Sequence, residues 1–388
     1  MPFDTRDLAT GLPTDSPGER RNRQLVAAWL FGVSAMVLVM VVLGGATRLT
    51  GSGLSIMEWA PLSGALPPLS HDDWEQLFEL YKKIPQYALL HDGMGLAGFQ
   101  RIFWLEWVHR NWGRLIGAAF LVPLIWLWAA GRIERPLRPR LVLLFLLGAL
   151  QGGVGWFMVA SGFLPESTAV SPYRLVVHLV LALVLFAALL WTGLSVLQPA
   201  PLHLDRPGAR ATRRLSHAAT ILVGLAIVAG GFTAGLHAGL AYNTFPLMQG
   251  EWVPSNWADL DPFWRNFTEN IAAVQFDHRV LATAAGLAVL ATVVTGLSSG
   301  LPRRMRIALL LLGAALAAQY GLGVATLLLA VPPPLGIAHQ GVAVLLLAAT
   351  LVTVHALRGA RHQHLPPGLS RERVSQAAEP SAAPHGPR

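Results

Sequence analysis

Eight apolar runs organise this sequence. They lie near residues 25–47, 112–130, 141–161, 175–197, 216–236, 279–298, 307–330 and 337–357, and each approaches the roughly 20 residues an α-helix needs to cross a hydrocarbon core about 30 Å thick. A lipid-embedded segment must satisfy its backbone hydrogen bonds within itself, so such runs predict helices. The first run follows the basic stretch Arg20-Arg21-Asn22-Arg23. It is longer than a signal-peptide core and lacks a clear small-residue cleavage site, which predicts a retained helix. Composition agrees: 53% of residues are hydrophobic and 13% charged, against about 25% charged in soluble chains. The chain is expected to be an all-α integral membrane protein in contact with the lipid bilayer.

The formal charge of +8 would suggest nucleic acid for a soluble protein. Here it reads as topology, and no nucleic-acid partner is expected, because the arginines are sorted by loop. Arg20, Arg21 and Arg23 precede the first run; Arg132, Arg135, Arg138 and Arg140 separate the second from the third; Arg206, Arg210, Arg213 and Arg214 separate the fourth from the fifth. Arg303, Arg304 and Arg306, then Arg358 and Arg361, continue the series. If all eight runs cross, these segments share one side, and the loops with Asp72, Asp73, Glu75 and Glu79 and with Glu251, Asp259, Asp261 and Glu269 share the other. Both termini are therefore expected to be cytoplasmic. Cysteine is absent, which removes disulfides and thiolate ligands and leaves His, Met or carboxylate to hold any metal.

An internal repeat sharpens the fold. Gly44-Gly45-Ala46-Thr47 and Gly53-Leu54 are echoed, at one offset, by Gly230-Gly231-Phe232-Thr233 and Gly239-Leu240. Gln151-Gly152-Gly153-Val154-Gly155 is echoed by Gln319-Tyr320-Gly321-Leu322-Gly323. The expected architecture is eight transmembrane helices as two tandem four-helix bundles, related by a pseudo-twofold axis along the membrane normal. The boundaries are a cytoplasmic segment 1–24, a first half 25–198, a cytoplasmic linker 199–214, a second half 215–357 and a disordered cytoplasmic tail 358–388. The long outer loops, about 48–108 and 237–276, carry Trp59, Trp74 and Trp104, then Trp252, Trp257 and Trp264. Tryptophan favours the membrane interface, so these loops are expected to cap the outer mouths.

Four histidines follow the repeat: His109 and His178 in the first half, His278 and His339 in the second, each near the outer start of an even-numbered run. Imidazole is costly inside a bilayer, so a matched set points to a bound metal or heme rather than packing. Zinc or copper would require three or four close ligands, and no further His or Met recurs with these pairs. Heme requires two, and helix bundles hold such ligands on facing helices. Arg110 and Arg279 follow two of the histidines and suit heme propionates or interfacial anchoring equally well. Glu106 precedes His109 by three residues and so shares its helix face, whereas the matched residue is Gln275. That difference suggests that one heme is acted on while the other serves; a boundary carboxylate paired with Arg110 or Arg101 is the plainer alternative. The other nine histidines have no repeat partner.

The segments Gly44-Gly45-Ala46-Thr47-Arg48-Leu49-Thr50-Gly51-Ser52-Gly53-Leu54-Ser55, Phe103-Trp104-Leu105-Glu106-Trp107-Val108-His109-Arg110, Tyr242-Asn243-Thr244-Phe245-Pro246-Leu247-Met248, Gln275-Phe276-Asp277-His278-Arg279 and His339-Gln340 resemble the heme A synthase family. The likeness is to the branch shared by mitochondria and proteobacteria, and it spans about residues 25 to 357. The resemblance implies a membrane oxidoreductase that converts the C8 methyl of heme O to a formyl group through hydroxylated intermediates, for cytochrome oxidase biogenesis. It also implies iron ligation by His109 and His178 for the substrate heme and by His278 and His339 for a heme b cofactor. Glu106 takes the place of the family's essential glutamate. Another branch carries a cysteine pair in an outer loop; this chain has none, so a thiol step is excluded. The implied setting is a bacterial inner membrane. The implied partners are heme O, an electron acceptor the sequence does not identify, heme O synthase, cytochrome oxidase assembly factors and a second copy of the chain. The rival readings are a di-heme b-type cytochrome carrying electrons from quinol, and a heme transporter or chaperone.

Overall fold

The computed structural model describes residues 16–61, 63–165, 167–201, 204 and 207–360. Segments 1–15 and 361–388 lie outside the described residues, as do parts of the linker, so beyond residue 360 the expectation of a disordered tail falls outside them too. Eight long helices dominate: α1 Pro17–Leu49, α2 Leu96–Ala129, α3 Arg138–Val159, α4 Pro172–Leu197, α5 Pro207–Gly235, α6 Ile271–Ser298, α7 Arg303–Leu328 and α8 Pro333–Ala356. All eight are long and apolar enough to cross a membrane. This is a multi-span membrane protein, and among the described residues its only β-type pairing is an isolated bridge between Met248 and Glu251.

Local chemistry sets several helix starts. Ser16 caps α1 through a capping box with Glu19, and proline occupies the first turn of α1, α3, α4 and α8, where its missing N–H costs nothing and its fixed φ suits the helix. At α6 the Asn270 side chain accepts from the amides of Ala272 and Ala273, satisfying donors that have no partner within the helix.

The helices of 25–198 pack as neighbours α1–α2, α2–α3, α3–α4 and α4–α1, and those of 215–357 as α5–α6, α6–α7, α7–α8 and α8–α5. Across the middle, α1 meets α8, α4 meets α5, and α4 meets α8. One apolar core runs through both sets, including Val33, Leu141, Leu189, Val289, Leu312 and Val344.

The first outer loop, expected to cap its half, has helical structure of its own. It contains helices His71–Tyr81 and Pro85–Leu90, and α2 begins at Leu96, well before the apolar run that suggested residue 112. Hydropathy missed this start because Gln100, Arg101, Glu106, His109, Arg110 and Asn111 dilute it. The segment is helical because Phe99 and Phe103 bury against Phe78, Tyr81 and Ile84 in a second, outer core. Trp74 packs edge-on against Phe103, their ring centroids 4.8 Å apart. As a result Glu106, His109 and Arg110 stand inside a continuous helix rather than at its mouth.

Candidate functional site

Each of the four histidines faces a glycine on the preceding odd-numbered helix. A Cβ on Gly155 would come within 2.8 Å of His178 Cε1, on Gly230 within 2.9 Å of His278 Cε1, and on Gly323 within 2.9 Å of His339 Cε1. On Gly44 it would meet His109 Nε2 at 3.3 Å, a looser contact with the same far end of the ring. The imidazoles therefore rest on backbone, in space that any side chain would take. Nearby glycines differ: a Cβ on Gly152, Gly153 or Gly321 would meet nothing within 4 Å. All four rings are half-buried.

In the second half the rings of His278 and His339 have centroids 6.4 Å apart and planes at 85°. Two imidazole nitrogens each about 2 Å from one metal leave ring centres on the order of 6 Å apart, so the spacing fits one ion held between them. His278 Nδ1 lies 3.0 Å from the Ala226 carbonyl. That carbonyl selects the tautomer with hydrogen on Nδ1 and leaves the Nε2 lone pair free as a donor. His339 Nδ1 is buried with no hydrogen-bond partner, and Gln319 Nε2 stands 3.5 Å from its Nε2. In the first half His109 and His178 lie within electrostatic range of each other, and Gln151 Nε2 is 3.1 Å from His178 Nδ1. Among the described residues no group of three or more His, Asp or Glu gathers to hold an ion, so paired imidazoles are the available donor sets, and pairs suit heme.

Just outside each ring pair lies a polar clamp. Glu106 is 2% exposed. Its Oε2 accepts from Ser55 Oγ at 2.7 Å and from the Ile56 amide at 3.0 Å; its Oε1 accepts from Arg110 Nε at 3.0 Å and Nη2 at 2.6 Å. Arg110 also donates to the carbonyls of Ile56 and Glu58. In the second half Gln275 donates to the carbonyls of Ala238 and Ala241 and accepts from Arg279 Nη2 at 2.9 Å. Arg279 donates in turn to the carbonyls of Tyr242 at 2.7 Å and Thr244 at 2.9 Å. Ile56 and Tyr242, and Glu58 and Thr244, are related by the same offset as Gly44 and Gly230. One clamp is thus built twice with reversed polarity: a carboxylate gathers donors where an amide finds carbonyls. Arg110 pairs with Glu106, as the plainer alternative required; both arginines also donate to the loops, with Arg279 Nε left buried and unpaired.

The family COX15-CtaA, described as a cytochrome oxidase assembly protein, matches residues 27–351, a stretch that takes in all four histidines and both clamps. This chain belongs to the COX15-CtaA family. It is 60% identical over 342 residues to a heme A synthase of Granulibacter bethesdensis, covering 88% of this chain and 90% of the relative. It is 51% identical over 341 residues to heme A synthase 2 of Acidiphilium cryptum, covering 87% and 93%. To a heme A synthase of Rhodospirillum centenum it is 50% identical over 333 residues, covering 86% and 88%.

Within this COX15-CtaA chain the structure adds residues that sequence reasoning did not single out. Ser55, the Ala226 carbonyl and the pair Gln151 and Gln319 all touch the histidines or the clamps; only the glutamines carried a repeat signal. His91, one of the nine histidines without a repeat partner, lies 2.6 Å through Nδ1 from the Tyr81 hydroxyl. Tyr81 is 0% exposed, and burial together with the charge of Glu106 pushes its phenol above the ordinary range. Gln86 extends this network to the Gly51 carbonyl at 3.2 Å, tying the outer cap to the end of α1.

Proposed function

We propose that this chain is a heme A synthase, oxidising the C8 methyl of heme O to a formyl group for cytochrome oxidase biogenesis. Substrate lies between His109 and His178, and a resident heme b lies between His278 and His339. The observation that carries this reading is the matched placement of four imidazoles on glycine backbone, two to a half, in a chain 60% identical to a protein named heme A synthase. Two tandem bundles with a pseudo-twofold axis along the membrane normal are supported by mirrored contacts. Gly45 meets Gln340 of α8 as Gly231 meets Leu179 of α4, and Leu49 meets Gly336 as Gly235 meets Leu175. The arginine-rich inner segments support cytoplasmic termini in a bacterial inner membrane.

His278 and His339 would hold heme b in the second half, where it would supply a one-electron acceptor. The chain's own residues supply position and charge. His278, oriented by the Ala226 carbonyl, presents Nε2 in a fixed direction. Glu106 shares a helix face with His109 and carries four hydrogen bonds, so it acts as a fixed negative charge rather than a roaming base. In a low-dielectric wall such a charge stabilises positive charge that develops on a substrate carbon. Gln275 withholds that charge from the second site. Arg110 and Arg279 hold the outer loops over the two sites.

Pigment extraction from the purified protein tests the reading. Heme b together with heme O, heme A or a hydroxylated intermediate is expected. Heme b alone, at two per chain, would instead indicate a di-heme cytochrome b.

A further inference from the structure

Arg48 occupies the last turn of α1, one turn beyond Gly44, which backs His109. Its Nη1 donates to the Ala234 carbonyl at 2.9 Å, one turn beyond Gly230, which backs His278. A side chain of the first half thus crosses to the outer edge of the second-half site. The offset that carries Gly44 to Gly230 also carries Arg48 to Ala234. The repeat therefore supplies this cation once, opposite a residue small enough to leave it room.

The guanidinium is half-buried, and among the described residues its Nε and Nη2 make no hydrogen bond and no carboxylate lies in ion-pair reach. Its titratable neighbour, His237, is held below the ordinary imidazole range by burial and by the charge of Arg48 itself, so it offers no compensation. Arg110 is different, because its donors are engaged with Glu106 and the carbonyls of Ile56 and Glu58; Arg279 leaves Nε unpaired but commits both Nη1 and Nη2 to Thr244, Tyr242 and Gln275. A partly desolvated cation with idle fork donors is costly until an anion arrives, and guanidinium geometry favours a carboxylate.

We propose that Arg48 is a single cation shared by the two porphyrin sites, gripping a propionate of the second-half heme b from a helix that belongs to the first half. Arg48 is then a positioning residue that couples the occupancy and the potential of one site to the other. The proposal rests on the two-porphyrin reading above.

The test uses full-length protein purified in detergent as wild type, Arg48→Gln and Arg48→Lys, with heme b content, heme loss to excess apomyoglobin and midpoint potential as readouts. Arg48→Gln is expected to lose heme b about 10-fold faster, because a charge-assisted hydrogen bond is gone. Its midpoint potential is expected to move negative, since a nearby cation favours the reduced, less positive iron. Arg48→Lys is expected to restore most of the potential. Reloading heme-depleted wild type with protoheme dimethyl ester covers the case in which Arg48→Gln does not accumulate; the ester is expected to be lost faster than heme b. Unchanged retention and potential in Arg48→Gln, or equal retention of ester and heme b, would overturn the proposal alone. A wild-type protein without heme b would remove the two-porphyrin reading and this proposal with it.

Discussion

Gly323 lies against the imidazole of His339, so near that a methyl group there would sit 2.9 Å from Cε1. Gly155 stands in the same relation to His178, and Gly230 to His278. The rings owe their place to backbone that approaches without a side chain, and this makes the sites separately breakable.

Substituting Gly323 with Ala is expected to push the His339 ring aside and remove most of the resident heme b, with a stability loss of about 1–3 kcal/mol from overpacking. Gly321→Ala, where a Cβ meets nothing within 4 Å, is the matched control and is expected to keep its heme. The pyridine hemochrome of each purified variant measures this. Equal heme content in the two would show that the glycine contact is incidental.

Glu106→Gln is expected to retain heme b and lose heme A formation by at least about 100-fold, the scale of losing a preorganised charge. Arg110 is left without its carboxylate, so a stability loss of about 3 kcal/mol accompanies the change. Thermal unfolding and pigment analysis separate the two effects. Near-normal heme A in a folded Glu106→Gln protein would sink the assigned role.

Arg279→Ala removes donors to the part-buried carbonyl of Tyr242 and the exposed carbonyl of Thr244, and with them ties between α6 and the outer loop worth about 1 kcal/mol each. Faster protease cleavage and amide exchange around residues 240–250 are expected, with loss of heme b following rather than preceding them. Heme loss with an unchanged loop would point to direct propionate binding by Arg279 instead.

His237 adjoins Arg48 just beyond the outer end of α5, and its imidazole is held below the ordinary value near 6.5 by burial first and by Arg48 second. A depressed folded value means the native state disfavours the proton. The associated stability is complete above about pH 6.5 and is lost as pH falls toward the lowered value. Wild type is expected to lose its thermal-stability margin over His237→Asn across that window; asparagine tolerates the positive φ of 54° found here. Parallel pH profiles would contradict the assignment.

The number of spans, the repeated set of His109, His178, His278 and His339, and the contrast of Glu106 with Gln275 are all legible in residue order alone. Run length and residue type report burial cost directly, because an imidazole or carboxylate at membrane depth is rare unless it is used. The start of α2, the glycine that backs each ring, the closure of Arg110 and Arg279 on loop carbonyls and the reach of Arg48 to Ala234 emerge only from packing in three dimensions. Those outcomes depend on how each helix is rotated about its own axis. In a bilayer both the packed and the lipid-facing sides are apolar, so the hydrophobic pattern that reveals helix facing in soluble proteins is nearly silent here.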